Sequence, residues 1–261
     1  MLLAIDVGNT NTVFGLLADD GELVSSFRVS TTRDRMPDEW YAMLAALLGT
    51  AGLAAAEIDS AIISSVVPSV TPWLVEMCGT RFGVDAEVIT GASDIGMRLD
   101  VEEPKQLGAD RIVDCVAAIA RYGAPAIIID LGTATTFDVV DRNNVYRGGA
   151  IAAGVATSLK SLATNAAQLF NVELYVPEQV IGRNTADQLR SGIVTGHLAM
   201  LEGMITRIDE ELGERASVIL TGGLSTLFAG RSPRFDVVDP DLTLAGLYLI
   251  HQRLQHAPGA S

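Results

Sequence analysis

The sequence predicts an α/β protein of two tandem domains, residues 1–113 and 114–261, each a mixed β-sheet flanked by helices. Three observations predict it. The stretch Asp6-Val7-Gly8-Asn9-Thr10-Asn11-Thr12 returns half a chain later as Asp130-Leu131-Gly132-Thr133-Ala134-Thr135-Thr136. Each copy joins two short apolar runs, Leu2 to Ile5 and Val13 to Leu17 in one, Ala126 to Ile129 and Phe137 to Val140 in the other, a strand–turn–strand pattern. The order three strands, helix, strand, helix then repeats around each copy, which marks an internal duplication.

Each element has its own local reason. Leu2–Val7, Thr12–Leu17 and Leu23–Val29 read as three strands, the last two joined by the turn-forming Asp19-Asp20-Gly21. Pro37 and Asp38 open an amphipathic helix through Leu48, because proline suits the first helical turn and apolar residues follow at helical spacing. Ile58–Val67 is an apolar run suited to a buried strand and ended by Pro68; a short helix at Val70–Cys78 and a strand at Ala86–Ile89 follow. Asp94 to Pro104 reads as an irregular acidic stretch, and Gly108-Ala109-Asp110-Arg111 opens a helix to Tyr122.

The second half repeats the scheme with strands at Ala126–Asp130, Thr135–Val140 and Val145–Ile151, then a helix from Gly154 to Leu169. A longer helix is expected over Thr185–Leu212, a strand over Val218–Leu220, a short helix over Leu224–Phe228 and a closing helix over Leu242–Gln255. Trp40 and Trp73 read as core anchors.

At 261 residues the chain is long enough for two cores, and 49% hydrophobic residues with 25 Gly and 9 Pro describe an ordered globular chain. A net charge of −14, from 32 acidic and 18 basic residues, argues against binding to nucleic acid or anionic membranes. The apolar N-terminal run is broken by Asp6, too early for a signal peptide or a membrane span. Cys78 and Cys115 lack metal or redox spacing and read as free thiols of a cytoplasmic protein. His197, His251 and His256 show no metal-ligand spacing either.

The duplicated turns carry the chemistry. Phosphate binds where backbone N–H groups converge in a glycine-containing turn with short hydroxyl or amide side chains nearby. Asn9, Thr10, Asn11 and Thr12, and Thr133, Thr135 and Thr136, are such side chains, and two such hairpins facing each other would form a phosphate-sized cleft. Asp6 and Asp130 are placed to hold a hydrated metal against phosphate oxygens. No P-loop signature occurs, and lysine is confined to Lys105 and Lys160. The first turn leads into a strand rather than a helix, unlike a dinucleotide-binding site. Thr221-Gly222-Gly223 would let a base or ribose approach the backbone. Asp110 at a helix start is favoured by the helix dipole on its own account, so its residue context leaves structure and catalysis both open.

Paired Asp-x-Gly turns with a late Gly-Gly turn resemble the actin, sugar-kinase and heat-shock ATPase superfamily. Asp6–Thr12, Gly108-Ala109-Asp110-Arg111, Asp130–Thr136 and Gly182-Arg183-Asn184-Thr185, in that order and spacing, resemble type III pantothenate kinases over essentially the whole chain. One departure is Glu103 before Pro104, where that family often has Asn. The resemblance implies two tandem ribonuclease-H-like (actin-like ATPase) domains with the nucleotide between the halves. It implies ATP-dependent phosphorylation of pantothenate to 4′-phosphopantothenate, the first step of coenzyme A biosynthesis. By the same resemblance, Asp6, Val7, Gly8, Asn9, Thr10, Asn11, Thr12 and Val13 bind ATP with Mg²⁺ at Asp6, and Thr133 contacts the nucleotide. Asp110 is implied as catalytic base, with Gly108, Ala109, Asp110, Arg111 and Thr185 binding pantothenate. Asp130 is implied to hold a monovalent cation, K⁺ or NH₄⁺, and Thr185–Leu212 to lie at a homodimer interface near the substrate. Two rival readings share the fold: a phosphatase using water as nucleophile, and a non-catalytic regulatory or transcription-accessory homologue.

Overall fold

A computed structural model of the chain describes residues 1–165 and 172–256. Its first half contains β1 (Leu2–Val7), β2 (Asn11–Leu17), β3 (Leu23–Ser30), α1 (Pro37–Thr50), β4 (Ser60–Ser65), α2 (Thr71–Met77) and β5 (Ala86–Ile89). A two-residue strand β6 (Arg98–Leu99) and α3 (Ala109–Tyr122) follow, then β7 (Ala126–Leu131), β8 (Ala134–Val140) and β9 (Val145–Ala153). The rest comprises α4 (Val155–Asn165), α5 (Thr185–Arg190), α6 (Gly196–Leu212), β10 (Ser217–Thr221), β11 (Val237–Val238) and α7 (Leu242–Gln255).

These elements form two compact units. Unit 1 holds Met1–Met97, Glu102–Ala117 and the closing helix; unit 2 holds Arg98–Val101 and Ala118–Asp241. The expected boundary at 113/114 falls within α3, and the chain returns at its end so that α7 packs on β1 and β4 of unit 1.

Unit 1 is a five-stranded sheet in the order β3-β2-β1-β4-β5. β1 pairs antiparallel with β2 and parallel with β4, and β4 pairs parallel with β5. On one face Leu3, Ile5, Val7, Phe14 and Ile63 meet Trp40, Leu44 and Leu48 of α1 and Leu74 and Met77 of α2 in a closed core. Trp40, Leu44 and Leu48 stand four residues apart, one apolar stripe of a helix, and each contributes about 1.5–3 kcal/mol by burial. Gly15 of β2 meets α7 on the other face, where an added Cβ would lie 2.8 Å from the Leu244 side chain.

Unit 2 reads in reverse as β9-β8-β7-β10-β11, the same order with the same strand directions, and β6 adds itself parallel to the outer edge of β9. Its core joins Ile127, Ile129, Leu131, Phe137, Val218 and Leu220 to Val155 of α4 and to Val194, Leu201 and Ile205 of the helical layer. The duplication in the sequence is thus a duplication of sheet topology, and both parallel centres end at an Asp-x-Gly turn.

Four elements differ from expectation. β4 is shorter than Ile58–Val67, because Ile58 closes a 3₁₀ turn and Ser65 Oγ accepts from the Val67 N–H, which turns the chain out of the strand. The acidic stretch after Asp94 is not wholly irregular: β6 pairs with β9, and Arg147 reaches Asp100 at 2.6 Å. The long helix runs over Thr185–Leu212 as expected but widens into a π-helical turn at Ser191–Thr195, which contains Gly192 and is followed by Gly196, residues of low helix propensity. β11 was not expected, being two residues held by pairing with Ile219 and Leu220. The end of the helix expected to reach Leu169 lies outside the described residues.

Candidate active site

The first turn closes through the Gly8 N–H donating to Asn11 O at 2.9 Å, and a Cβ on Gly8 would lie 3.1 Å from that oxygen. Thr31, just beyond β3, clamps it: its N–H donates to Thr10 O at 2.9 Å and its hydroxyl to Gly8 O at 2.7 Å. Thr12 is buried and its hydroxyl lies 2.9 Å from that of Thr31, so it serves the clamp. Asn9 and Thr10 are exposed, while Asp6, Gly8, Asn11 and Val13 are half-buried and Val7 is buried. The turn therefore presents Asn9 and Thr10 outward above a half-buried carboxylate.

Unit 1 also brings the Gly-Ala-Asp-Arg motif to this end of the sheet. Val66, which follows β4, donates its N–H to Val7 O at 3.0 Å, and a Cβ on Gly108 would lie 3.5 Å from a Val66 methyl. The same Cβ would lie 2.5 Å from Asp110 Oδ1, so a side chain at position 108 would push that carboxylate aside. Asp110 opens α3 and accepts from the Arg111 N–H at 2.8 Å. Burial raises its pKa above the ordinary carboxylate range, opposed in part by the Arg111 backbone bond and the Arg111 charge. One turn further on, buried Asp114 accepts from the Thr243 hydroxyl of α7 at 2.7 Å, and a Cβ on Gly246 would lie 2.2 Å from Val113 O. α7 thereby fixes α3, and with it Asp110. The sequence reading assigned neither Thr31 nor α7 a part in the site. The Thr243-x-x-Gly246 spacing is the only trace of the second, and the first leaves no local signal.

In unit 2 the Gly132 N–H donates to Ala134 O at 3.0 Å, and Thr133 O accepts from the Gly154 N–H at 3.2 Å and from the Thr157 hydroxyl at 2.6 Å. The start of α4 thus does for this turn what Thr31 does for the first. Thr133 is exposed. Thr135 is buried and lies 3.0 Å from His197 Nε2, so it is structural. Asp130 stands beside Thr221 of β10 in parallel register, and a Cβ on Gly222 would lie 2.0 Å from Asp130 Oδ1. The late Gly-Gly turn therefore bears directly on the second carboxylate.

Thr185 sits elsewhere in unit 2, as the first residue of α5, whose N-cap Asn184 accepts from the Asp187 N–H at 2.9 Å. It lines an apolar cavity of about 380 Å³ with Leu162, Gln188, Leu189, Gly192 and Ile193. Among the described residues no three His, Cys, Asp or Glu side chains group as a metal cage. Mg²⁺ commonly keeps water and phosphate oxygens among its ligands and does not need such a cage. No described helix is long and apolar enough to cross a membrane, and both cysteines are buried and free.

Two repeated sheets of this topology, each ending in an Asp-x-Gly turn, form the fold of actin-like and sugar-kinase-like proteins. A solved structure of the activator of 2-hydroxyisocaproyl-CoA dehydratase from Clostridium difficile, with bound ADPNP, shares that fold. Its TM-score is 0.52 at 13% identity, with 100% of this chain and 99% of that one covered. A family model for type III pantothenate kinase matches residues 2–207. The type III pantothenate kinase of Thermomicrobium roseum is 46% identical over 260 residues, 100% of both chains. That of Brevibacillus brevis is 44% identical over 255 residues, covering 98% of this chain and 100% of the relative. The chain belongs to the type III pantothenate kinase family. It is a kinase that uses ATP to phosphorylate pantothenate in coenzyme A biosynthesis.

Proposed function

We propose that Asp110 is the base of this reaction and that the two turns divide the ligands between them. What carries this reading is the half-buried carboxylate at the start of α3, held above its usual pKa and given room by Gly108. A base near neutrality works best when its pKa is raised toward the working pH. Asp110 accepts the proton of the primary hydroxyl of pantothenate while that oxygen bonds to the γ-phosphorus. The bond from the γ-phosphorus to its bridging oxygen breaks, and ADP leaves with that electron pair. Phosphoryl transfer of this kind needs chiefly positioning and charge neutralisation.

Asp6 to Val13 bind the ATP phosphates, with Asn9 and Thr10 as the outward side chains of the turn, and Thr133 contacts the nucleotide. Asp6 holds Mg²⁺, which neutralises phosphate charge when bound. Gly108, Ala109 and Arg111 bind pantothenate, Arg111 as the cation for its carboxylate or the transferring phosphate. Thr185 contacts pantothenate from its apolar cavity. Asp130 holds K⁺ or NH₄⁺, supplying the positive charge that a P-loop lysine supplies elsewhere; the unpartnered Thr221 oxygen beside it supports the fit. The Thr185–Leu212 segment, with exposed Val180 and Ile181 before it, is the face of a homodimer. Two buried free thiols suit a reducing cytoplasm.

The test is direct: Asp110→Asn, assayed with ATP, Mg²⁺ and K⁺, loses conversion of pantothenate while keeping its fold by circular dichroism. Undiminished conversion removes Asp110 as the base.

A further inference from the structure

On the sheet face of unit 2 that carries Asp130, three further oxygen-bearing side chains follow from the strand registers. Thr136 of β8 is the antiparallel partner of Asp130, and Thr221 of β10 is its parallel partner. In-register neighbours share a face, so the three stand in one row across the sheet. Asp138 lies two residues further along β8, on the same face and buried. The Thr136 hydroxyl donates to Asp138 Oδ2 at 3.1 Å, and the Tyr146 hydroxyl donates to Asp138 Oδ1 at 2.8 Å. Thr221 Oγ1 is buried with no hydrogen-bond partner among the described residues, an unfavourable state for a polar group.

We propose that Asp138 is a positioning residue that turns Thr136 into a cation ligand, so that Thr136 and Thr221 flank Asp130 as the neutral oxygens of the monovalent-cation site. A threonine hydroxyl has one hydrogen and two lone pairs. With its hydrogen given to Asp138, Thr136 offers its neighbours only lone pairs. Such an oxygen repels an anion and suits a cation. One carboxylate with neutral hydroxyl oxygens matches a large, singly charged ion, whereas a divalent ion draws on more carboxylate charge or on phosphate. Gly222 pressed against Asp130 Oδ1 leaves no side chain between the carboxylate and the Thr221 end of β10. The first repeat has only half of the arrangement: Ser64 of β4 stands beside Asp6 as Thr221 stands beside Asp130, but the antiparallel partner of Asp6 is Val13, and Gly15 stands where Asp138 does. The proposal rests on the assignment of the cation to Asp130 and adds the residues that select it.

The experiment measures melting temperature and initial rate against KCl concentration, with ionic strength held by choline chloride, and repeats both with NaCl. Asp138→Asn, which removes the partner of a ligand, raises the KCl midpoint about tenfold or more in both measurements, the range for losing such a partner. Thr136→Val, which removes the ligand itself, raises it at least as much. Thr136→Ser restores the wild-type midpoint. Should Asp138→Asn fail to fold, Thr136→Val, at a half-buried position, decides alone. Wild-type midpoints in Thr136→Val overturn the proposal while leaving Asp130 as the cation residue. A wild-type chain with equal melting temperatures and rates in KCl and NaCl removes the Asp130 assignment itself, and the proposal with it.

Discussion

Gly222→Ala tests how rigidly unit 2 holds Asp130. Gly222 has φ +86°, a left-handed conformation that an L side chain adopts at a cost of about 1–2 kcal/mol. Its new Cβ would lie 2.0 Å from Asp130 Oδ1 and 2.7 Å from Leu131 N, whereas ordinary contact begins at 3.4 Å. The backbone nitrogen cannot retreat without disturbing β7, so stability falls further. The carboxylate can retreat, by roughly 1.4 Å, and displacements of about that size at a reacting geometry cost on the order of 10²-fold in rate. The expected result is a kcat/KM for ATP lowered about 100-fold together with a melting temperature lowered by several degrees. Gly213→Ala is the control: its φ of +72° carries the same backbone strain, but a Cβ there meets nothing within 4 Å. It should lose stability and keep its rate. Gly222→Ala active within about threefold of wild type, with the stability loss of Gly213→Ala, refutes the claim that this glycine sets the Asp130 carboxylate.

Four further outcomes follow from the same geometry. Asp110→Asn should lower kcat about 10²- to 10⁴-fold, the usual worth of a general base, read in a coupled ADP-release assay. Because burial raises the Asp110 pKa, the acid limb of kcat/KM should lie above the ordinary carboxylate value of about 3.9, and a limb at or below that value contradicts the assignment. Linkage gives the stability sign: a raised folded-state pKa contributes stability below the unfolded-state pKa that is lost as pH rises through the folded-state one. Asp110→Asn should therefore melt higher than wild type at neutral pH, with the advantage shrinking in acid. Thr31→Val removes the hydroxyl that holds Gly8 O and Thr12, each bond worth about 1 kcal/mol, and should raise the KM for ATP several-fold with kcat little changed. An unchanged KM would show that the turn holds its shape without the clamp.

Much of the fold was legible because the first half and its copy both write strand–turn–strand in local signals. β1, β5 and α7 have the expected bounds, set by Asp6-x-Gly8, by the short run Ala86–Ile89 and by Asp239-Pro240. What escaped was non-local. β6 exists only because β9 offers an edge, and β11 because β10 does; two residues carry no periodicity of their own. The return of α7 to unit 1 depends on Gly246 meeting Val113 O and Thr243 meeting Asp114, 129 residues away in sequence. Of the residues expected at the site, Asp6, Asp110 and Asp130 stand out in motifs, while the hydroxyls of Thr12 and Thr135 are engaged with Thr31 and His197. Spacing says that a threonine is near a turn but not which way its hydroxyl is drawn.

The two repeats differ for a reason that lies in what covers their sheets. In unit 1 the Asp6 face is packed by α7 so closely that β2 needs Gly15 beneath Leu244, and Val13 stands beside the carboxylate. Asp6 therefore has a hydroxyl neighbour on one side only, the buried and unpartnered Ser64 of β4. In unit 2 the matching positions on β8 are Thr136 and Asp138, and the face carries a hydrogen-bonded polar network instead of a methyl-lined contact. A carboxylate with a hydroxyl-bearing strand neighbour on one side only would draw more of an ion's coordination from the ligand's own phosphates and from water, which suits Mg²⁺ arriving with ATP. A carboxylate flanked by hydroxyls on both strands can hold an ion largely from the protein, which suits a resident monovalent cation. The duplication supplied two equal turns, and the packing of the layer behind each made them unequal.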